Sequence, residues 1–288
     1  MKPDRDTPMP PVSAVIITYN ESANLRRTVS QLYWCSEIII VDSFSTDGTD
    51  LIAREENCKL IQRAFHGFGD QKRFAVSQCK HEWILCLDAD EVLTNELITE
   101  IWRELRSPNE KHALSFPSCL VFRKQKFRFG RESNRQVIKM FNRRFGEVNN
   151  DRIHEKIEVR GTIIRLKNPV LHFSYRDITQ YFTKFDLYTE WCAENYFKSG
   201  KRKSKSIIII SIPYYFFKYY LADRNMLNGL NGFYWSVLMS FYHFVKYLKL
   251  EDMHQSEISL LSRRSKAFRK VIPVFRETSI FSGNAGIL

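Results

Sequence analysis

The stretch WILCLDADE, from Trp83 to Glu91, decides the fold, because a short apolar run in it ends abruptly in three carboxylates. The run Trp83–Leu87 is too short for a helix and does not alternate, which is typical of a strand buried on both faces of a sheet. In open α/β sheets, ligands bind outside the carboxyl ends of the strands. Asp88 and Asp90 therefore form a candidate site for a hard divalent cation and a phosphate-bearing substrate. Taken alone, the acids could equally be solvated, with one of them capping a helix that begins near Thr94.

The bulk composition is that of a globular protein with an anionic partner. The chain has 288 residues, 44% hydrophobic and 26% charged, which suffices for one large core or two modest ones. Its net charge of +12 favours nucleic acid, an acidic membrane surface or a phosphorylated substrate as partner. We expect no signal peptide and no transmembrane helix, because the chain opens with charges and prolines and lacks an apolar run of roughly 18 residues. The six cysteines are scattered without a C-x-x-C pair, which favours a reducing cytoplasm.

Candidate strands and helices alternate four times in the first ninety residues. The strands are expected at Val12–Thr18, Ile38–Val41, Lys59–Gln62 and Trp83–Leu87. Ser22 is the candidate cap of the first helix, and Ser45, Thr46 and Asp47 are candidate caps of the second. The alternation predicts βαβ units and an α/β fold with a mainly parallel, doubly wound sheet.

Three strand ends then converge on one edge of the predicted sheet, at residues 18–21, 42–43 and 88–90. The chain has neither G-x-G-x-x-G after the first strand nor a P-loop, so a dinucleotide fold is not expected. Gly67 and Gly69 instead lead into a helix that carries Lys72 and Arg73. Two cations beside the positive end of a helix suit a diphosphate, and a solvated basic turn is the alternative.

The character of the sequence changes between residues 113 and 151. Short apolar pieces alternate with basic loops, which predicts an antiparallel extension of the sheet. Between Arg123 and Arg144 nine residues are basic and only Glu132 is acidic, a patch that would attract a phosphorylated acceptor. The pattern from Asp177 onward is helical, with the basic run KSGKRKSK followed by two aromatic, apolar segments. These segments suit helices in the interface of an anionic bilayer, or a helical pair packed on the catalytic domain.

Four motifs, VSAVIITYNE, IIIVDSFSTDGT, GFGDQKRFA and WILCLDADE, occur in an order and spacing that resemble a known family. They look like the nucleotide-binding half of family 2 inverting glycosyltransferases with the A-type fold. NDRIHEKIEVRG and LHFSYRDITQYFTKFDLYTE extend the resemblance from about Val12 to about Leu250. The branch they resemble builds lipopolysaccharide and lipooligosaccharide cores as β-glucosyltransferases.

The resemblance implies a set of nucleotide-sugar contacts, which are Thr18, Asn20, Glu21, Asp42, Ser43, Lys72, Asp88 and Ala89. Asp42 would accept from the base, most readily uracil N3–H. Asp88 would contact the ribose or the metal, and Asp90 would hold Mg²⁺ or Mn²⁺ against the diphosphate, where Lys72 adds positive charge. Arg73 stands where this branch usually has asparagine, which leaves the donor sugar open.

A general base must take the proton of the acceptor hydroxyl. Glu155 falls at the His-Glu motif of the family and is the predicted base, with His154 orienting it or touching the diphosphate. A cross-strand ion pair of Glu155, or a base role shared with Glu91 or Asp151, is the alternative. His154 and His172 could be metal ligands, but no third ligand at a clear spacing accompanies them.

These inferences predict an inverting, metal-assisted transferase of a hexose, glucose first, from a UDP-sugar to a lipopolysaccharide-core or lipid-linked acceptor. The expected regions are a nucleotide-sugar-binding half (1–110), an acceptor-binding β extension (111–175) and a helical, basic, membrane-associated region (176–288). The tail from residue 251 is expected to be loosely ordered or a second basic anchor. We expect the enzyme in the cytoplasm, peripheral on the inner face of the plasma membrane, without a nucleic acid partner. The alternatives are a phosphohydrolase, or a catalytically dead protein that binds membrane or nucleic acid.

Overall fold

The computed structural model describes residues 9–149, 155–175 and 177–276, with side chains described up to residue 258. The strands are β1 (Val12–Thr18), β2 (Glu37–Asp42), β3 (Lys59–Gln62), β4 (Trp83–Asp88), β5 (Glu91–Leu93), β6 (Ala113–Phe122), β7 (Gln125–Lys126), β8 (Arg135–Asn142), β9 (Gly146–Val148), β10 (Ile157–Val159), β11 (Ile163–Arg165) and β12 (Val170–His172). The helices are α1 (Ser22–Val29), α2 (Thr49–Glu55), α3 (Phe68–Ser77), α4 (Asn95–Arg106), α5 (Arg131–Asn134), α6 (Ile178–Lys198), α7 (Lys205–Phe217) and α8 (Gly229–Arg276).

The first half of the main sheet is parallel, with β1 between β2 and β4 and with β3 outside β2. All seven residues of β1 are buried. Ala14 and Ile16 belong to the apolar cluster on one face of the sheet, whereas Val15 and Ile17 belong to the cluster on the other. Because both faces are covered, the strand sequence shows no polar alternation, as expected for a buried parallel strand.

The second half of the sheet mixes the two strand directions, in the order β4-β8-β6-β12-β5. β8 is antiparallel to both β4 and β6, and β12 is parallel to β6 but antiparallel to β5. The predicted fold class is confirmed: a doubly wound sheet, an antiparallel extension and a C-terminal helical region. The extension makes the complete sheet mixed rather than mainly parallel, because β8 runs against its neighbours.

The helix starts differ in detail from the predicted caps. Thr94 caps α4, because its Oγ1 accepts from the backbone N–H of Leu97 at 3.2 Å. Ser22 does not cap α1, since it is already the first helical residue and its N–H donates to Asp47 Oδ2. Asp47 Oδ1 accepts from the N–H of Thr49, the first residue of α2. Asp47 therefore serves the starts of two helices.

The contacts divide the chain into two units. The first unit is Met1–Thr183 with Phe216–Val237, and the second is Lys184–Tyr215 with Leu238–Leu288. Within the first unit the ring of Trp235 lies 5.4 Å from that of Phe122 and 6.4 Å from that of Phe127. These aromatic contacts join the start of α8 to the end of β6. Residues 216–237 therefore belong to the first unit, although they follow residue 175, the predicted end of the β extension.

The region after residue 250 differs from the expectation of a loosely ordered tail. Helix α8 extends to Arg276, and its sequence from residue 233 to residue 272 contains neither glycine nor proline. Within the part of the chain that the structure describes, no helix combines the length and apolarity that crossing a membrane requires.

The six cysteines, all of which lie in the part of the chain that the structure describes, form no disulfide bond. Burial raises the pKa of the Cys86 thiol to about 12 and that of Cys79 to about 12. Both side chains therefore remain protonated at neutral pH and pack as small apolar groups rather than as nucleophiles.

Candidate functional site

Three parallel strands bring their carboxyl ends together at one edge of the sheet. In the register, Thr18 of β1 lies opposite Asp42 of β2, and Ile17 lies opposite Asp88 of β4. The alternation of strands and helices predicts this convergence, and the topology places the ends on adjacent strands. The polar side chains that follow these strands therefore lie along one edge, where α/β proteins bind ligands.

The loops after β1 and β2 are tied to each other through side chains. Asn20 has φ of +53°, its N–H donates to Ser45 Oγ at 2.8 Å, and its Oδ1 accepts from the N–H of Thr46 at 2.8 Å. The N–H of Glu21 donates to Thr49 Oγ1 at 2.9 Å. Asn20 and Glu21 thus hold the shape of this edge, whatever ligand contact either one adds.

Asp42 is fully buried under the second loop. Its carboxylate accepts from the backbone N–H of Ser45 at 2.9 Å and from the hydroxyl of Ser45. Ser43 Oγ accepts from Gln71 Nε2 at 3.1 Å. Among the described residues, the buried Oγ1 of Thr18 has no hydrogen-bond partner. A buried hydroxyl without a partner is unusual and is consistent with a site completed by a ligand or by water.

Two exposed aromatic residues at this edge were not singled out from the sequence. Tyr19 follows β1 and Phe44 follows β2, and both side chains are more than half exposed. Phe44 also has φ of +60°, a strained conformation for a bulky residue that costs about 1–3 kcal/mol. Strain of this kind is often kept at ligand sites, so Phe44 is a candidate contact for a planar group.

Acids and lysines form a continuous network at the end of β4. Lys72 Nζ lies 2.6 Å from Asp88 Oδ1 and 2.6 Å from Glu155 Oε1. Lys139 Nζ lies 2.9 Å from Asp88 Oδ2 and 2.6 Å from Glu91 Oε2. Two ammonium groups therefore bridge three carboxylates, of which Asp88 and Glu91 are close in the sequence and Glu155 is distant.

Within this network, Lys72, Lys139 and Asp88 stabilise one another in their charged forms. Burial acts to lower the pKa of Lys72, but the carboxylates of Asp88 and Glu155 outweigh it and raise that pKa above its ordinary value. Lys139 behaves in the same way, since Asp88 and Glu91 overcome its burial and raise its pKa. Burial acts to raise the pKa of Asp88, but Lys139 and Lys72 hold it well below the usual range. Each lysine provides a fixed positive charge beside the strand end.

Asp90 belongs to a second, smaller group of charges. Asp90 Oδ1 lies 3.3 Å from Nε2 of His172, a residue that β12 places opposite Glu91 of β5. Burial acts to lower the pKa of His172, but Asp90 reverses this effect and the pKa rises to about 9. His172 is therefore an imidazolium at neutral pH in this structure, paired with Asp90.

Arg27 is a further residue near Asp90, and the sequence did not indicate it. The Arg27 guanidinium lies 3.4 Å from the centre of the Phe173 ring. Burial lowers the pKa of Arg27, and the charge of Asp90 opposes that shift. Because Arg27 belongs to α1, this helix borders the site. The carbonyl oxygen of Ala89, a predicted contact, accepts from Thr28 Oγ1 at 2.7 Å.

Glu132 lies on the side of the site formed by the β extension. Burial raises its pKa, the arginines Arg135 and Arg131 oppose that shift, and Asp223 adds to it. Burial also raises the pKa of Tyr175, and the charges of Asp90 and Glu132 add to that effect. The charges of Asp90 and Glu132 both act on Tyr175, so the three side chains lie near one another. The sequence indicated Glu132 only as an isolated acid in a basic patch.

The donor set can be compared with the needs of a divalent cation. Within residues 9–149, 155–175 and 177–258, no group of three or more His, Cys, Asp or Glu side chains is arranged to hold a metal ion. Both oxygens of Asp88 are held by ammonium groups, so a cation there would have to displace Lys72 or Lys139. Asp90 Oδ1 is likewise paired with His172, which a cation there would have to displace. Such a cation would take this one carboxylate and complete its shell with phosphate oxygens and water, a mode that Mg²⁺ often uses.

Two predicted participants, His154 and Asp151, lie outside the described residues. Glu155 is described, and its carboxylate is largely buried in the ion pair with Lys72. A cavity of about 480 Å³ in the first unit is lined by residues of the β6–β7 turn and the start of α8, and its lining includes none of the predicted site residues. The roles assigned to individual side chains therefore stay predictions.

The comparisons with known proteins agree with this architecture. A family model described as Glycosyl transferase family 2 matches residues 13–170, more than half of the chain. The chain belongs to glycosyl transferase family 2. It is therefore an enzyme that transfers glycosyl groups, which confirms the enzyme class predicted from the sequence over the phosphohydrolase alternative.

Relatives match nearly the whole chain. An uncharacterized glycosyltransferase of Rickettsia felis is 31% identical in an alignment of 268 positions that covers 88% of this chain and 94% of the relative. The lipopolysaccharide core biosynthesis glycosyltransferase LpsC of Rhizobium meliloti is 28% identical in an alignment of 257 positions that covers 86% of this chain and 94% of the relative. Among solved structures, TarS of S. aureus is 23% identical, with a TM-score of 0.34 over 38% of this chain and 22% of that chain.

Proposed function

We propose that this chain is an inverting glycosyltransferase that moves a hexose, with glucose as the first candidate, from a UDP-sugar to a lipopolysaccharide-core or lipid-linked acceptor. The observation that carries the proposal is the pair of lysines, Lys72 and Lys139, bridged to Asp88 at the end of β4 beside Asp90. Such a pair suits a reaction in which negative charge develops on a departing diphosphate. The likeness to LpsC, which is named for lipopolysaccharide core biosynthesis, supports the acceptor class.

The chemistry of the proposed reaction follows from fixed charges. The leaving diphosphate gains negative charge as the bond to the anomeric carbon breaks, and Lys72 and Lys139 supply positive charge without a reorganisation of solvent. Both ammonium groups are held by carboxylates before the substrate arrives, so their positions are set in advance. Removing one preorganised charge of this kind typically costs about 10²–10³-fold in kcat.

Glu155 is the proposed general base, and its contact with Lys72 couples it to the donor. Lys72 Nζ lies 2.6 Å from Glu155 Oε1, so the proposed base is engaged in an ion pair before the donor binds. Diphosphate oxygens would compete for the same ammonium and so release Glu155 to accept the proton of the acceptor hydroxyl. A base of this kind contributes about 10²–10⁴-fold. Direct displacement from the opposite face would invert the anomeric carbon.

A divalent cation, Mg²⁺ or Mn²⁺, is the proposed cofactor and would be held by Asp90. When bound, such an ion supplies Lewis-acid stabilisation of the diphosphate. Asp88 is the counter-ion of the two lysines in the present arrangement, and a ribose or metal contact by Asp88 stays a prediction. Asp42, Thr18 and Ser43 remain the proposed surroundings of the base.

The test is binding of UDP, measured by calorimetry in the presence and absence of Mn²⁺. Asp90→Asn should abolish the effect of the metal on UDP affinity, whereas Asp50→Asn on α2 serves as a carboxylate control and should behave as wild type. Incubation with a panel of nucleotide sugars would then identify the donor, and NMR of the product would report its anomeric configuration. Metal-dependent binding that survives in Asp90→Asn, or a product with retained configuration, would contradict the proposal.

The acceptor and the cellular location also belong to this proposal. A lipid-linked acceptor is presented at a membrane, and the expectation of a cytoplasmic enzyme peripheral on the inner face of the plasma membrane is retained on that ground. We also retain the prediction that this chain does not bind nucleic acid, because an anionic membrane accounts for its excess of basic residues.

A further inference from the structure

Helix α7 of the second unit exposes an unusual amount of apolar surface. Between Lys205 and Tyr215, Ile208 and Ser211 are the buried side chains. Large exposed apolar residues fill the positions around them, namely Ile207, Ile209, Ile210, Ile212 and Tyr214. Ile209 is 70% exposed and Ile210 is 59% exposed. A contiguous apolar surface on a helix marks an interaction site, whereas single exposed apolar residues do not.

The length of α7 suits a helix that lies along a membrane surface. At about 1.5 Å per residue, its 13 residues span roughly 20 Å, less than the roughly 30 Å of a bilayer hydrocarbon core. Pro213 lies within the helix and interrupts its hydrogen-bond ladder near the end. A short, apolar helix of this kind can bury its outer face at the boundary between headgroups and acyl chains.

Positive charge is concentrated immediately before this helix. Residues 201–205 read KRKSK and are all exposed. Lys201 Nζ lies 4.5 Å from the centre of the Tyr196 ring, and Lys203 Nζ lies 5.5 Å from that of Tyr247. Cation–π contacts hold the two stems against the unit while the other charges face solvent. The basic segment and the apolar face therefore meet at the start of α7.

A small cavity lies beside the basic segment. It has a volume of about 130 Å³, which is room for several water molecules. Arg202 and Lys203 line it with cationic hydrogen-bond donors, and Glu251 is its one acid. His254 and Gln255 also line it, with side chains that bond to the carbonyl oxygen of Lys201 and to Glu251 Oε1. This set of donors suits a phosphate group, such as the one in the headgroup of an anionic phospholipid.

Combining these features, we infer that the second unit docks on an anionic bilayer, with the α7 face Ile207–Tyr214 buried in the interface and residues 201–205 on the lipid phosphates. The charge pattern decides among the possible occupants. A second copy of this chain would bring the same basic segment, and like charges would meet unless the two segments were kept apart. An anionic bilayer matches both features at once, and each cation near its surface strengthens binding about fivefold. The inference concerns a surface and does not depend on the sugar that the enzyme transfers.

The test is co-sedimentation of the full-length protein with vesicles. Vesicles of phosphatidylcholine with phosphatidylglycerol are compared with vesicles of phosphatidylcholine alone, at low and at high salt. The test variant is Ile209→Ser with Ile210→Ser. Its matched control is Tyr33→Ser with Leu51→Ser, because these two side chains are also 70% and 59% exposed but lie in the first unit. A second variant, Arg202→Ser with Lys203→Ser, removes two charges beside the cavity.

We expect binding to the anionic vesicles that falls at least tenfold in the isoleucine variant and about 25-fold in the charge variant, with the control unchanged. Hydrogen exchange of residues 205–215 should slow when anionic vesicles are added. The inference is overturned if the isoleucine variant and the control bind alike, or if binding does not depend on phosphatidylglycerol. It is also overturned if size-exclusion chromatography without lipid shows an oligomer that the isoleucine variant dissociates. None of these readouts involves glycosyl transfer, so failure here leaves the proposed enzymatic function standing.

Discussion

Replacing Lys72 with methionine removes the ammonium group that joins Asp88 to Glu155. Its Nζ lies 2.6 Å from one oxygen of each carboxylate, and the side chain is almost fully buried. Loss of a preorganised charge at the leaving group predicts a fall in kcat of about 10²–10³-fold, or about 3–4 kcal/mol of transition-state stabilisation. The methionine keeps the length of the side chain, so the change mainly concerns charge.

The same substitution should lower stability by less than its burial suggests. Removing one partner of a fully buried ion pair typically costs about 3–5 kcal/mol. Here Lys139 still holds the other oxygen of Asp88, and the Asp88 side chain is one-third exposed. We therefore expect a loss of about 1–3 kcal/mol in the free energy of unfolding, measured by urea denaturation. Adding Glu155→Gln to Lys72→Met should recover part of this loss, because one carboxylate without a partner is removed.

The assay is the initial rate of UDP release with the preferred donor and a core-type acceptor. Lys59→Met is the control, since Lys59 is an exposed lysine of the same sheet. The double variant should regain stability without regaining activity. A Lys72→Met enzyme with kcat/KM within about threefold of wild type would refute the assignment of Lys72 to the leaving group. Equal stability of the single and double variants would refute the coupling to Glu155.

Three further predictions concern other parts of the chain. Phe44→Asn should raise the free energy of unfolding by about 1 kcal/mol, because asparagine tolerates the positive φ, and should weaken UDP binding about tenfold if the ring stacks on the base. Gly130→Ala should lower the free energy of unfolding by more than about 2 kcal/mol, because its φ is +82° and an added Cβ would lie 1.9 Å from the carbonyl oxygen of Asp223. Lys246 is buried, and burial lowers its pKa from 10.5 to about 8, so the folded state is penalised below pH 8 and the penalty fades as pH rises towards 10.5. Lys246→Met should thus stabilise the protein by about 1–2 kcal/mol at pH 7, after allowance for the lost cation–π contacts with Tyr196 and Tyr247. It should also flatten the rise in stability between pH 8 and 10.5. Thermal melts across this pH range measure both effects, and a variant that melts like the wild type would contradict the prediction.

The parallel half of the sheet could be predicted because its signal is local. Each buried strand is a short β-branched or apolar run, and each run ends at a polar residue such as Asp42 or Asp88. The length of a strand and the polarity of the residue after it are properties of neighbouring residues, so sequence alone locates them. The order of the strands follows from the rules for βαβ units.

The partners of the site residues could not be predicted, because they come from distant parts of the chain. Lys139 reaches Asp88 from 51 residues away, and Glu155 reaches Lys72 from 83 residues away. Lys139 appeared in the sequence only as one of nine cations between residues 123 and 144, and nothing local separates it from the other eight. Its position on β8, antiparallel to β4, selects it.

For the C-terminal helices, the exposure of individual residues could not be predicted from the sequence. Apolar and aromatic residues in α7 and α8 indicate helices, but the sequence does not tell which of them remain exposed. The structure separates them, because Trp235 packs against the end of β6 while Ile209 and Ile210 face solvent. Exposure depends on the tertiary arrangement, which the helical period does not encode.

The hydrogen bonds between the loops after β1 and β2 constrain how a member of this family can change. Asn20 and Glu21 are held by Ser45, Thr46 and Thr49, so neither loop keeps its shape without the other. An insertion in one loop would break hydrogen bonds that hold the other loop in place. A variant with altered donor preference in this region should therefore require changes in both loops. Directed evolution of the donor site would then succeed when both segments are randomised in one library, and would stall when each is varied in turn.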